Sequence, residues 1–142
     1  MPALFIDTSA LVKYYYPEEE SERIEGQILK ARHIYISGLS ITEMASALMK
    51  KVRNRELTKT QEMLIWNAFM DDLQAGQVEL IYPDERHFYK ASDIVREFGA
   101  EYGIKTLDAL QLAVAHGLGA VKFLCADKIL LKLAAEMGIR VA

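Results

Sequence analysis

The stretch Ala3–Leu11, with the sequence ALFIDTSAL, decides how the rest of the chain is interpreted. Four apolar residues run directly into Asp7, and two hydroxyl residues precede a second apolar run. This order predicts a short buried strand that ends at Asp7, with a helix starting at once. A carboxylate at the tip of a buried strand is costly to desolvate unless a helix N-terminus, a basic side chain or a metal ion meets it. Asp is also a common helix cap, so the meaning of Asp7 depends on which other acids converge on it.

Composition describes an ordinary globular chain. It has 142 residues, of which 51% are hydrophobic and 26% are charged, which predicts one domain over residues 1–142 with a sizeable core. No apolar run is long enough to cross a bilayer, and Asp7 interrupts the stretch that a signal peptide would need. We therefore expect a cytoplasmic protein that does not enter the membrane. The net charge of −3 gives no general attraction to nucleic acid, so a polyanionic substrate would need a local basic patch or bound cations.

Strands alternate with helices along the whole chain. The strand candidates are Ala3–Ile6, Ile34–Ile36, Val78–Tyr82, Val121–Ala126 and Ile139–Val141. The segments between them carry apolar residues at three- and four-residue spacing, which is typical of amphipathic helices. The pattern predicts βαβ units and hence an α/β fold: a single-domain, three-layer α/β/α structure with a central parallel sheet of four to five strands.

Three helices carry more detailed expectations. Glu18–Glu20 is typical of an acidic first helical turn. Thr58 and Gln61 match a capping box at the start of a helix that runs to Gly76. Another helix is expected over Asp84–Phe98. Its buried face is predicted to consist of Phe88, Ala91, Val95 and Phe98.

Four acids stand where strands end or helices begin. Asp7 and Asp127 follow predicted strands, Glu43 lies one turn into the helix after the second strand, and Asp108 lies in the first turn of the least polar helix. In an open parallel sheet, ligands bind beyond the carboxyl ends of the strands, so the four could meet at one edge. Like charges in one cleft repel and need a cation between them, and carboxylate oxygens suit Mg²⁺ or Mn²⁺.

Each of these acids also has a purely structural interpretation. The segment Ser40–Glu43 fits a capping box, in which Glu43 only ties back the start of its helix. Asp108 and Asp127 could serve helix dipoles. Taken singly, each acid favours the structural interpretation, and taken together they favour a cation site.

The single cysteine and the three histidines do not favour a disulfide or a zinc site. Cys125 lies alone in an apolar run, which predicts a buried structural thiol and excludes an intramolecular disulfide. His33, His87 and His116 lack the spacing of zinc ligands.

Four motifs in order carry a resemblance to a known family. They are FIDTSAL at 5–11, SITE at 40–43, TLDALQLA at 106–113 and FLCADKIL at 123–130. Together they resemble the PIN-domain ribonucleases, and within them the VapC-type toxins of toxin–antitoxin pairs. The resemblance covers essentially the whole length and implies a PIN domain over residues 1–142. Each motif is weak alone, and the four in this order are a strong signal.

The resemblance implies a catalytic activity and a metal. It implies an endoribonuclease that hydrolyses RNA phosphodiester bonds with Mg²⁺ or Mn²⁺. Asp7, Glu43 and Asp108 match the family's three core acids and Asp127 its more variable fourth, and all four are implied as catalytic and metal-binding residues. As a weaker inference, Thr8 or Ser9 helps to position a water.

The resemblance also implies partners. They are an RNA substrate, a small VapB-like antitoxin protein and a second copy of the chain in a homodimer, as in a type II toxin–antitoxin system. The exposed part of Tyr14–Tyr16, together with the early helices, forms a candidate docking surface for the antitoxin. For RNA, the run Lys50, Lys51, Arg53 and Arg55 offers a basic patch on the Glu43 helix, although an ordinary solvated helix face is equally consistent with it.

Two alternatives stay open at this point. A receiver-type signalling domain also gathers aspartates around Mg²⁺ at the edge of a small α/β sheet. A PIN-like module that processes or binds RNA without being a toxin would share the same motifs.

Overall fold

The structure, a computed structural model, describes residues 3–142. Its strands are β1 (Ala3–Ile6), β2 (His33–Ser37), β3 (Glu79–Ile81), β4 (Val121–Leu124) and β5 (Arg140–Val141). Its helices are α1 (Thr8–Tyr15), α2 (Ser21–Lys30), α3 (Leu39–Arg53), α4 (Lys59–Gln74), α5 (Glu85–Tyr102), α6 (Thr106–Leu118) and α7 (Lys128–Glu136). All strands pair in parallel in one sheet, in the order β3-β2-β1-β4-β5.

The side chains of β1 explain the three layers. Successive residues of a strand point to opposite faces of the sheet, and β1 is apolar on both. Phe5 joins the core cluster that contains residues of α5, α6 and α7, whereas Leu4 and Ile6 join the cluster that contains residues of α1, α2, α3 and α4. The predicted three-layer α/β fold with a parallel sheet is therefore confirmed. Within residues 3–142, no helix has the length and apolar character needed to cross a membrane.

The buried face of α5 differs from the predicted one. Ala91 is buried and Phe98 packs against the core as predicted, but Phe88 and Val95 are 54% and 37% exposed. His87 and Ile94 are buried in their place. The cause is a capping box in which Asp84 N–H donates to His87 Nδ1 at 2.9 Å, while α5 packs so that the His87 ring lies against Gly117 of α6. The helix is thus rotated by one residue from the orientation that the apolar spacing predicts.

The two other helix-start expectations have opposite outcomes. Thr58 and Gln61 form the predicted capping box of α4. Glu18–Glu20 precedes α2 and is not its first turn, because Glu20 has a left-handed backbone with φ of 71°. Ser21 instead organises this turn, since its Oγ accepts from Glu18 N–H at 2.8 Å.

The strand order creates a switch point at one edge of the sheet. The helices between β1 and β3 lie on one face, and those from β3 to β5 lie on the other. The order of strands therefore reverses between β1 and β4, which is where ligands bind in open α/β sheets. Asp7 directly follows β1, and Asp127 comes three residues after β4.

Candidate active site

A cavity of about 1060 Å³ opens at this carboxyl edge. Its lining includes the four predicted acids and two lysines, namely Asp7, Glu43, Asp108, Asp127, Lys50 and Lys105. The fold therefore brings together four carboxylates that are up to 120 positions apart in the chain. Their catalytic and metal-binding roles stay predictions.

Asp7 is buried at the floor of the site, with 4% of its surface exposed. It caps α1, because Oδ1 accepts from Ala10 N–H at 3.1 Å, and Ser9 Oγ donates to the same oxygen at 2.8 Å. Burial nevertheless raises the pKa of Asp7 to about 6, because the hydrogen bonds only partly compensate for lost hydration. Capping thus describes the geometry of Asp7 but gives no reason for burying its charge.

Cys125 belongs to the surroundings of Asp7. It is buried, as predicted for a structural thiol, and its Sγ donates to Asp7 Oδ2 at 3.1 Å. Burial raises the pKa of this thiol, which keeps it protonated and able to donate. Ser9 Oγ accepts from Ala126 N–H at 3.0 Å, so the chain after β1 is tied to the chain after β4. The motif position of Cys125, two residues before Asp127, was the available sign of this contact.

Glu43 does not form the capping box that its sequence allows. The N-cap of α3 is Gly38, no side chain caps this helix, and Ser40 therefore lies inside the first turn. The Ser40 hydroxyl lies 2.8 Å from Thr8 Oγ1, and Thr8 donates to Glu43 Oε1 at 2.8 Å. The capping interpretation of Glu43 is wrong, since its carboxylate turns toward the cavity and is held by the residue after Asp7.

Gln111 is a site residue that sequence reasoning missed. It lies on α6 with 2% of its surface exposed, and its Nε2 donates to Glu43 Oε1 at 2.8 Å. Thr8 Oγ1 and Ser40 Oγ lie 3.1 and 3.2 Å from the same nitrogen. Its buried Oε1 has no hydrogen-bond partner among residues 3–142. The available signal was a lone amide three positions after Asp108 in an otherwise apolar helix.

The two remaining acids lie nearer to solvent. Asp108 is half-buried in the first turn of α6, and burial raises its pKa, with further contributions from the charges of Asp127 and Glu43. Asp127 is exposed and caps α7, because its Oδ1 accepts from the N–H groups of Ile129 and Leu130 at 2.9 and 3.1 Å. Asp127 therefore lies at the N-terminus of α7, so the interpretation that it serves a helix dipole agrees with its position.

The donor set suits a hard divalent cation. All four acids offer carboxylate oxygens, and the charges of Asp127 and Glu43 raise the pKa of Asp108, so the groups repel one another across the shared cavity. In the described part of the chain, no three His, Cys, Asp or Glu side chains are placed to hold one ion together. The residues fit such an ion in chemistry and charge, and binding would require the acids to move closer together.

The basic groups at the cavity differ from the predicted run. Lys50 lines the cavity, but Lys51 is turned away, since its Nζ lies 3.5 Å from Glu18 Oε2 and 4.2 Å above the Tyr16 ring. Arg55 lies beyond the end of α3. Lys105, which lies outside that run and directly before α6, supplies the second lysine of the cavity wall.

The fold and the site together define a class. A doubly wound parallel sheet carries four acids at its switch point, in a cavity large enough for a flexible polar ligand. The PIN domain family model matches residues 4–136, and the chain therefore belongs to the PIN-domain family.

Particular relatives sharpen this assignment. The chain is 26% identical over 128 residues to Ribonuclease VapC3 of Pyrobaculum aerophilum, with 88% of this chain and 89% of that protein covered. The structure of VapBC2 from Rickettsia felis, bound to a DNA fragment from its promoter, matches with a TM-score of 0.68 at 14% identity, covering 99% and 97% of the two chains. A toxin–antitoxin complex from Klebsiella pneumoniae matches with a TM-score of 0.57 at 15% identity, covering 87% and 86%. The protein thus resembles the VapC toxins in fold.

The strand order also separates this chain from receiver domains. Receiver domains follow the order 2-1-3-4-5, whereas this sheet follows 3-2-1-4-5. The family match and the order together exclude the receiver alternative.

Proposed function

We propose that this protein is an Mg²⁺- or Mn²⁺-dependent endoribonuclease that hydrolyses RNA phosphodiester bonds. We further propose that it is the toxin of a type II toxin–antitoxin pair. The observation that carries the proposal is the gathering of Asp7, Glu43, Asp108 and Asp127 around one cavity at the switch point of a PIN-domain sheet. The 26% identity to a VapC ribonuclease supports the same activity.

The metal would be held by the four carboxylates. Asp7, Glu43 and Asp108 are the proposed principal ligands, and Asp127 would complete the set from the solvent side. When bound, Mg²⁺ or Mn²⁺ supplies a water of lowered pKa and neutralises charge that develops on the phosphate.

The chain itself orients the inner acids. Ser9 and Ala10 N–H donate to Oδ1 of Asp7 and Cys125 donates to Oδ2, so both oxygens of this carboxylate are held. Thr8 and Gln111 donate to the same oxygen of Glu43. We therefore assign Thr8 and Ser9 to positioning of the acids rather than to positioning of a water. Outer partners of this kind commonly set metal affinity.

Lys50 and Lys105 would attract the RNA backbone. They lie on the wall of a cavity that otherwise carries negative charge, and ammonium groups contact phosphates without reading sequence. Their contribution should weaken as salt rises, because counterion release drives such contacts.

An antitoxin is the proposed protein partner. The support is the fold likeness to proteins solved as VapBC2 and as a toxin–antitoxin complex. Of the three early tyrosines, Tyr14 is 38% exposed, whereas Tyr15 donates to Asp72 at 2.5 Å and Tyr16 lies beneath Lys51. A docking surface at this site, or a homodimer interface, would therefore use Tyr14.

The activity is tested with purified protein and structured RNA. We expect internal cleavage with Mg²⁺ or Mn²⁺ and none in EDTA, with activity restored when the metal is returned. Intact RNA under all metal conditions would reject the nuclease proposal.

The toxin assignment needs a separate experiment. Induction in a bacterial host should arrest growth, and co-expression of the protein encoded beside this gene should relieve the arrest. RNA cleavage in vitro without growth arrest would instead favour a PIN-domain enzyme or module of RNA processing.

A further inference from the structure

An exposed aromatic ring stands on the wall of the acidic cavity. Tyr82 follows the end of β3, lines the cavity, and is 63% exposed. Aromatic rings of this size usually bury most of their apolar surface, so a tyrosine exposed inside a polar site is a candidate contact for a ligand.

The backbone on both sides of Tyr82 is restrained. On one side, Gly38 N–H donates to Ile81 C=O at 2.9 Å, which fixes the residue before Tyr82. On the other side, Pro83 restricts the backbone, and Asp84 caps α5 through its capping box. A Cβ atom at Gly38 would lie only 2.7 Å from Tyr82 Cε1, so the ring occupies the space that the glycine leaves open. Tyr82 is thus preorganised, which lowers the entropy cost of stacking.

Positive charge accompanies the ring. Lys50 and Lys105 line the same cavity, and within residues 3–142 neither ammonium group lies within 4.0 Å of a carboxylate oxygen. An exposed aromatic face with lysines on the same wall matches the combination that binds single-stranded nucleic acid, where bases stack and phosphates pair with cations.

We propose that Tyr82 is a stacking platform for one unpaired base of a single-stranded RNA segment, whose neighbouring phosphates contact Lys50 and Lys105. This inference rests on the proposed ribonuclease function and names the form of substrate that its site accepts. A base inside a duplex cannot offer its face to the ring, so the platform selects loops, bulges or ends. Stacking tolerates every base, so Tyr82 would select unpaired structure rather than sequence.

An RNA occupant agrees better with the charges than a protein segment does. An apolar peptide would cover Tyr82 but would leave two lysines and four carboxylates desolvated, which is costly. A nucleotide strand instead supplies phosphates to the lysines and to any cation among the acids.

The experiment tests whether the Tyr82 ring contacts one particular base of the RNA. Binding of single-stranded RNA is measured by anisotropy in EDTA, where no metal-dependent cleavage occurs, for the unmodified protein, Tyr82→Ala and Tyr82→Phe. Oligonucleotides carry 2-aminopurine or an abasic site at each position in turn. Tyr89→Ala is the matched control, because Tyr89 is 68% exposed but lies outside the cavity lining.

We expect Tyr82→Ala to weaken binding by about 5- to 150-fold, the range of stacking contributions per base, and Tyr82→Phe to retain it. An abasic site at one position of the RNA should weaken binding to the unmodified protein by a similar factor, and the same abasic site should cause no further loss with Tyr82→Ala. The fluorescence of 2-aminopurine at that position should be quenched by the unmodified protein and not by Tyr82→Ala. Gly38→Ala fits the observed φ of −57° but displaces the ring, so it should give a smaller loss.

Two results would overturn the inference. One is equal affinity of Tyr82→Ala and the unmodified protein for every oligonucleotide, which would indicate that the exposed ring contacts a protein partner and not RNA. The other is quenching that survives in Tyr82→Ala. Cleavage with Mg²⁺ is recorded separately, so absent cleavage with intact stacking would reject the ribonuclease proposal instead.

Discussion

The inner and outer walls of the cavity hold their acids in different ways. On the inner wall, Asp7 and Glu43 are fixed by protein donors, including Cys125 and Gln111 from the opposite half of the chain. On the outer wall, Asp127 only caps α7, and Asp108 is half-exposed beside it. This fold therefore orients Asp7 and Glu43 with side-chain donors from distant parts of the chain, whereas Asp127 is held only by backbone N–H groups at the start of its own helix.

Removing the inner charge should have the largest effect. Asp7→Asn keeps the shape and the helix cap but loses the anionic oxygen, and we expect RNA cleavage to fall by about a thousandfold, because metal charge stabilisation is worth several kcal/mol. Initial rates with Mg²⁺ measure this. Asp93→Asn, an exposed acid on α5, is the control and should cleave normally. Activity in Asp7→Asn within tenfold of the unmodified protein would contradict the role of the inner wall.

The same variant should change the pH dependence of stability in EDTA. The pKa of Asp7 is raised from 3.8 to about 6 in the folded state, so its protonated form favours folding, and this contribution is lost as pH rises from about 4 through 6. At pH 7.5, Asp7→Asn should therefore be up to about 3 kcal/mol more stable than the unmodified protein, with almost no difference at pH 4. Denaturant unfolding at both pH values measures this. An equal gain at pH 4 would show that burial of the charge is not the cause.

Gln111 tests whether the inner wall depends on its donors. Gln111→Leu removes the amide that holds Glu43, a proposed metal ligand, and we expect Mg²⁺ affinity and cleavage to fall by about 10- to 100-fold, the usual effect of removing a hydrogen-bond partner of a metal ligand. Titration calorimetry with Mg²⁺ and initial cleavage rates measure this. Gln74→Leu, at an exposed position of α4, is the matched control. If Gln111→Leu binds Mg²⁺ normally, Thr8 alone suffices to hold Glu43.

The outer wall should show the smallest effect on stability. Asp127→Asn retains a capping side chain and should unfold like the unmodified protein, whereas Asp127→Ala should lose about 1 kcal/mol. Thermal unfolding in EDTA compares the two. Both variants remove the charge of Asp127, but only Asp127→Ala removes the cap. Equal rates of RNA cleavage by the two variants would therefore show that capping does not contribute to activity.

Local sequence patterns predicted much of the fold. Short apolar runs identified the strands, because a buried parallel strand needs apolar residues on both faces, and two of these runs lead into Asp7 and Asp127. The orientation of α5 was beyond this reasoning, since the His87 cap and its contact with Gly117 depend on the neighbouring helix. Apolar spacing shows that a helix has a buried face but fixes its rotation only to within about one residue.

The acids of the candidate site could be predicted from the sequence, but the residues that hold them could not. Asp7, Glu43, Asp108 and Asp127 all carry a signal, because acids next to buried elements are costly to desolvate. Gln111 and Cys125 carried only a weaker sign, their positions near Asp108 and Asp127, since a single amide or thiol in an apolar segment is usually ordinary packing. Lys51 was expected beside the cavity, but its attraction to Glu18 and Tyr16 turns it elsewhere.

By itself, then, the sequence determined the alternation of strands and helices and the positions of the acids, because both follow from short-range patterns of polarity. Only the tertiary structure decided which polar groups hold those acids, since Thr8, Gln111 and Cys125 meet them through contacts between residues up to 118 positions apart. It also decided that Tyr82 stays exposed, because the space above Gly38 exists only once β2 and β3 are paired.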